Sequence, residues 1–236
     1  MNPVYKPYWS GDGIQVYNAD CIPFLKTLPS KSIGACITDP PYNLGKSFAN
    51  DRQEDIAYEQ WCREWFQEVK RVTAGPILLT CGMKNLGMWH RIEQPKWVLC
   101  WWKPGCAERC PVGSCNWEPI LLYGGWKGTN GCDVLRTTEN SSLATDNRVN
   151  PIAHPTSKVV EWAKVQVSKF TKHDEIVLDP FLGSGTIAIA CYHLQRKCVG
   201  VEVSKDYCAL AGKRIDAARG GDFIKMVRRA AARKRK

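Results

Sequence analysis

The sequence predicts a single doubly wound α/β domain: a mostly parallel, twisted sheet with an antiparallel pair at its edge and helices on both faces. Three observations predict it. An apolar run, Ile33-Gly34-Ala35-Cys36-Ile37-Thr38, reads as a buried strand and is closed by Asp39-Pro40-Pro41-Tyr42. A second buried strand, Glu175-Ile176-Val177-Leu178-Asp179, runs into the glycine turn Pro180-Phe181-Leu182-Gly183-Ser184-Gly185-Thr186 and an apolar, alanine-rich helix. Between and around them, short apolar runs alternate with amphipathic stretches, the pattern of a parallel sheet crossed by helices.

Taken in order, Ile14-Gln15-Val16-Tyr17-Asn18 is a strand that ends at Asp20, ahead of a short helix over 23–28. After the Ile33–Thr38 run, two consecutive prolines cannot donate ladder hydrogen bonds and fix the backbone, so they force the chain out of the sheet at its carboxyl edge. Ligands of open α/β sheets bind at that edge. Residues 43–55 are polar and aperiodic and read as a loop beside the site, with Gly45, Lys46 and Arg52. Residues 56–72 form a helix with Trp61, Trp65, Phe66 and Val69 on one face, tryptophans better placed for a core than for a substrate. A strand over 76–81 and a short helix over 85–92 follow. Residues 96–102 and 117–123 are β segments that pair antiparallel, with Trp101 and Trp102 on opposite faces. Residues 124–153 are the least regular stretch, rich in Gly, Thr, Asn and Ser. Residues 157–170 are an amphipathic helix. The helix after the glycine turn spans 187–194. Lys197-Cys198-Val199-Gly200-Val201 is a strand ending at Glu202, and a last helix over 204–218 starts at Ser204, a good cap.

The residues at the two strand ends have a chemistry. A carboxylate at Asp39 and the Pro40 carbonyl can accept the two N–H bonds of a flat heterocyclic amine, and the Tyr42 ring can stack on its face. The glycine turn lets a ligand approach the backbone, and the helix behind it offers free N–H groups to an anion. An acid about twenty positions beyond such a turn, here Glu202, commonly holds ribose hydroxyls. Asp20 reads equally as a helix cap and as a ligand for an adenine amine.

In these two motifs the chain resembles the amino-methyltransferases of DNA, which move a methyl group from S-adenosylmethionine to the exocyclic amine of adenine or cytosine. Asp39-Pro40-Pro41-Tyr42 matches their catalytic signature, and Asp179 to Thr186 their cofactor loop. His154-Pro155-Thr156-Ser157-Lys158 resembles the segment that precedes that loop. The catalytic motif comes first, the permuted order of the beta class. The resemblance spans residues 14–216 and implies a Rossmann-like methyltransferase domain over 1–224. It implies cofactor contacts from Asp20, Thr156, Lys158, Asp179, Pro180, Phe181, Gly183, Ser184, Gly185 and Glu202. The family usually has glutamine and proline where this chain has Ser157 and Val159, while Thr156 and Lys158 match its pattern. An aspartate rather than a serine at the first catalytic position implies adenine as target, with cytosine the alternative. RNA or protein methylation and a catalytically silent binding module are the further readings. The partner implied is double-stranded DNA with its target base flipped from the stack, bound by a monomer or homodimer.

Composition agrees with a soluble domain: 236 residues, 44% hydrophobic and 24% charged. No apolar stretch is long enough to span a bilayer and the first residues lack a secretion pattern, which predicts a cytoplasmic protein, bacterial or in a phage-infected cell. The formal net charge is +10, of which residues 225–236 supply seven, leaving 10 − 7 = +3 for the rest. This tail, with Arg228 and Arg229, suits non-specific phosphate contact. Lys127, Arg136 and Arg148 in the 124–153 insertion, together with Lys46 and Arg52, are the other candidate DNA contacts; target recognition is assigned to 124–153. Twelve cysteines are many, but Cys36, Cys81, Cys100, Cys191 and Cys198 sit in apolar segments as small hydrophobes. Cys106, Cys110 and Cys115, with Cys132, lack the paired spacing of a zinc site, and no metal is expected.

Overall fold

A computed structural model describes residues 4–45, 53–103, 109–126, 128, 131–137 and 160–220, and every structural statement below concerns these. In chain order the elements are β1 (Trp9–Gly11), β2 (Ile14–Asn18), α1 (Cys21–Thr27), β3 (Ala35–Thr38), α2 (Asp55–Val72), β4 (Pro76–Thr80), α3 (Gly82–Ile92), β5 (Trp97–Trp102), β6 (Arg109–Cys110), β7 (Gly113–Ser114), β8 (Trp117–Gly124), β9 (Val134–Arg136), α4 (Val160–Phe170), β10 (Ile176–Asp179), α5 (Thr186–His193), β11 (Lys197–Glu202) and α6 (Lys205–Arg219). Nine strands make one sheet in the order β1-β2-β11-β10-β3-β4-β8-β5-β9, and β6-β7 is a separate hairpin.

The five central strands, β2, β11, β10, β3 and β4, are parallel. β8 runs antiparallel to both β4 and β5. The expected antiparallel pair is therefore present, one strand in from the edge, because the three-residue β9 adds parallel to β5. β9 lies inside the stretch that the sequence leaves irregular. From β10 the chain crosses by α5 to β11 on one side, and from β3 it crosses by α2 to β4 on the other. The strand order reverses between β10 and β3, and the crevice beyond their carboxyl ends is where such sheets hold ligands.

Alternation along the strands divides the core into two layers. Ile37, Leu78 and Val177 face α4, α5 and α6. Cys36, Ile77, Leu79 and Leu178 face the other way, onto α1, α2 and α3. Trp65 and Phe66 of α2 are fully buried with Trp89 of α3, and Trp61 is partly buried beside them, so the tryptophan face is core as its spacing implies. α5 is buried along Thr186–Cys191 and uses small side chains to pack tightly on α4. Among the described residues no helix is long and apolar enough to cross a membrane.

Candidate active site

The half that the sequence reads as cofactor-binding is built at the carboxyl ends of β10, β11 and β2. Gly183 and Gly185 take φ of +52° and +85°, a region that L side chains rarely adopt. A Cβ on Gly185 would lie 2.9 Å from the Ala211 Cβ, so glycine also sets how closely α6 approaches the turn. Gly185 caps α5 without a side-chain acceptor, so the helix end is open to a ligand carboxylate. The Glu202 carboxylate accepts the Gly183 N–H at 2.8 Å and the Ser204 N–H at 2.8 Å, and burial raises its pKa. Asn18 donates from β2 to the carbonyls of Glu202 and Val203 at 3.0 and 2.9 Å, locking the neighbouring strand ends together. Asp20 is exposed there and accepts the Ile22 N–H at 2.8 Å, so it is a helix cap; its place beside β11 leaves it suited to the second role as well.

Two of the expected cofactor residues have partners that sequence did not reveal. The buried Ser184 accepts from Arg214 of α6 at both its hydroxyl and its carbonyl, each at 2.6 Å. Burial lowers the Arg214 pKa to about 10, and it stays charged. Phe181 packs edge-on against Trp65 and Trp61 of α2, with ring centroids 4.9 and 5.5 Å apart, which anchors the turn to the opposite layer. Pro180 is buried behind it. A glycine turn that lets a ligand approach the backbone, a helix end without a side-chain cap and an acid across the neighbouring strand fit an adenosine that carries an amino-acid tail. Thr156 and Lys158 lie outside the described residues.

The half that the sequence reads as catalytic is the turn after β3. Asp39 and Tyr42 are half-buried, Pro40 is buried and Pro41 half-buried. The Tyr42 hydroxyl donates to Asp39 Oδ1 in a short contact. The Tyr42 ring rests on the α-carbon of Gly82 (φ +64°), where a Cβ would come within 2.9 Å of it. Two helices hold the backbone of the turn: Tyr58 of α2 donates to the Pro41 carbonyl at 2.5 Å, and Asn85 of α3 donates to the Tyr42 carbonyl at 2.8 Å. Burial, then the charges of Asp39 and Glu118, hold the Tyr42 hydroxyl well above its ordinary pKa, so it remains a donor.

One buried hydrogen bond joins the halves. Thr38 Oγ1 donates to Asp179 Oδ1 at 2.8 Å, and the Phe181 N–H reaches the same oxygen at 3.1 Å. Burial pushes Asp179 up to about 7 against the pull of these donors. A second buried pair flanks the turn: Lys103 donates to Glu118 at 2.5 Å, with the ammonium 5.1 Å from the Trp101 ring centre. Neither Thr38 nor this pair was legible, because the partners of each bond come from different segments of the chain. Of the candidate DNA contacts, Arg136 ends β9 and is exposed. Lys46, Arg52, Lys127, Arg148, Arg228 and Arg229 lie outside the described residues. Cys106 does too, and among the described residues no group of three His, Cys, Asp or Glu side chains could hold a metal ion.

The fold is a Rossmann-like α/β domain in which a glycine turn and an acidic, proline-stiffened turn share one crevice. Comparison with known proteins gives the family. The family model described as DNA methylase matches residues 33–96 and 88–213. The type II methyltransferase M.HpaI of Haemophilus parainfluenzae is 29% identical over 234 residues, covering 86% of this chain and 74% of its own. M.ScaI of Streptomyces caespitosus is 27% identical over 90% of this chain and 84% of its own. The solved cytosine-N4-specific PvuII DNA methyltransferase superposes with a TM-score of 0.70 over 94% of this chain and 95% of its own, at 16% identity, a likeness of fold. The chain belongs to the DNA methylase family of amino-methyltransferases, and S-adenosylmethionine is its methyl donor.

Proposed function

We propose that this protein methylates the exocyclic amine of adenine at a specific site in double-stranded DNA, with the target base turned out of the helix into the crevice between β3 and β10. The observation that carries this reading is the Asp39–Tyr42 turn, pinned by Tyr58 and Asn85 and joined to the cofactor turn through Thr38. Asp39, Pro40, Pro41 and Tyr42 are its catalytic residues. Asp20, Thr156, Lys158, Asp179, Pro180, Phe181, Gly183, Ser184, Gly185 and Glu202 are its cofactor-binding residues. S-adenosylmethionine supplies a methyl group on a sulfonium, already a good electrophile.

The protein's part is to prepare the nucleophile. An aromatic amine is weakly nucleophilic because its lone pair is delocalised into the ring. Accepting its two N–H bonds at Asp39 and at the Pro40 carbonyl favours a more pyramidal nitrogen and stabilises the charge that develops on it. Alignment of nitrogen and methyl by a rigid turn can supply about 7–11 kcal/mol. Extrusion of the base costs a few kcal/mol of stacking, offset by contacts in the pocket, with Tyr42 against the base face. Target recognition is assigned to residues 124–153, and phosphate or base contact to the basic residues Lys46, Arg52, Lys127, Arg136, Arg148, Arg228 and Arg229.

Adenine is favoured over cytosine by the aspartate at position 39. Transfer of labelled methyl to DNA, RNA and protein, followed by sequencing of the modified DNA, tests the proposal. Methyladenine at one sequence is the expected result; methylcytosine would move the target base, and label confined to RNA or protein would overturn it. The Asp39→Ala variant should lose transfer while still binding S-adenosylhomocysteine. Substantial turnover by that variant would remove Asp39 from its role.

A further inference from the structure

Trp117, Trp102 and Arg136 stand side by side in register across three neighbouring strands. Trp102 at the end of β5 pairs with Trp117 at the start of β8, and on its other side with Arg136 at the end of β9. The alternate row, Glu118, Trp101 and Leu135, is buried. The outer row is not: Trp102 and Trp117 are 36% and 38% exposed, and Arg136 is exposed. On this face Leu121 and Tyr123 of β8 belong to the core cluster formed with α3, and Trp102 and Trp117 do not. The Arg136 guanidinium lies 4.6 Å from the centre of the Trp102 ring.

We infer that this row is a DNA-contact platform, on which the strand flanking the extruded base lays a base or sugar against Trp102 and Trp117 while Arg136 meets a phosphate. The inference rests on the DNA-methyltransferase reading above and assigns a substrate surface to it. Position supports it: the ends of β5 and β9 and the start of β8 lie at the same sheet edge as the Asp39 turn. They share a face with α3, whose first residue, Gly82, touches Tyr42. Chemistry supports it too. Two flat rings in a row offer sequence-tolerant stacking, and a cation held over one of them supplies the charge that a polyanion needs. A subunit contact would favour a wholly apolar row, whereas this one ends in an exposed arginine.

The test uses the full-length protein and a fluorescent duplex carrying the site sequenced from DNA methylated by the wild type, with S-adenosylhomocysteine present. W102T and W117T remove the rings but keep a strand-forming side chain. Each should weaken duplex binding about tenfold or more, on the scale of one lost stacking contact. W102F and W117F should stay within about threefold of wild type, because Phe keeps a stacking face. R136Q should lower the log–log salt slope by about one, the value of one phosphate contact. S-adenosylhomocysteine affinity should not change. Unaltered duplex affinity in both threonine variants would overturn the inference, as would a loss that follows only from a change in sedimented mass, which would make the row a subunit contact. Failure of the wild type to methylate DNA at all would sink the underlying reading, an outcome that these variants do not touch.

Discussion

Asp39 reaches the crevice with one carboxylate oxygen already engaged by Tyr42, and this sets what each side chain can contribute. The tetrapeptide predicts a ring that stacks; the structure adds a hydroxyl that orients the acceptor. Tyr42→Phe should therefore lower kcat by roughly 10- to 100-fold, since a hydrogen bond to a charged group is worth about 1.5–3 kcal/mol. Tyr42→Ala should lower it further by removing the ring as well. Single-turnover methyl transfer separates the two: an unchanged Phe variant would dismiss the hydroxyl, and equal losses would dismiss the stacking. Asp39, Pro40, Pro41 and Tyr42 were legible because they are contiguous and prolines impose one backbone path. Tyr58 and Asn85 were not, because they reach the turn only once α2 and α3 have packed, and nothing local marks them.

Between elements, the Thr38–Asp179 bond ties together the ends of the paired strands β3 and β10, and it has a pH signature. Burial raises the Asp179 pKa from 3.8 to about 7. Between those values the native carboxyl is protonated while the unfolded one is ionised. The native state then binds more protons, and this group's contribution to stability falls as pH rises through that window and levels off above about 7. Asp179→Asn should remove that slope. The Thr38 hydroxyl favours the ionised form, so Thr38→Val should cost little below about pH 5 and roughly 1–3 kcal/mol above about pH 8, where a buried anion has lost a donor. Thr38→Ser should restore the wild-type profile. Thermal melts across that range decide it, and a Thr38→Val penalty that is flat with pH would show that the bond does not hold the carboxylate. The central strands and their helices were read correctly from apolar runs and helical spacing. The β1–β2 hairpin was missed although its signal is present: Asp12-Gly13, with φ of +48° and +79°, is a turn that suits tight hairpins. β9 left no such signal, since three residues in a polar stretch acquire strand geometry only from β5 beside them.

At the scale of the whole molecule, the doubly wound order places Thr38 and Asp179, 141 residues apart, within one hydrogen bond, so the Asp39–Tyr42 motif and the later glycine turn share a single crevice. Charge is distributed differently from chemistry. Residues 225–236 hold seven cations of a formal net +10 and lie beyond both motifs in the sequence. Contacts to phosphate carry no base information, whereas reading a site requires groups at base edges. Deleting 225–236 should therefore weaken binding to all DNA sequences about equally and leave the methylated site unchanged. If three or four of the seven cations meet phosphate, the log–log salt slope should fall by roughly three, at about 0.9 per contact on duplex DNA. Turnover at saturating DNA should persist, because Asp39, Glu202 and the turns that carry them are complete without the tail. Affinity measured across a salt series, with sequencing of the DNA methylated by the truncated protein, gives both answers. An unchanged slope would take the tail off the phosphates, and an altered site would mean that recognition extends into it.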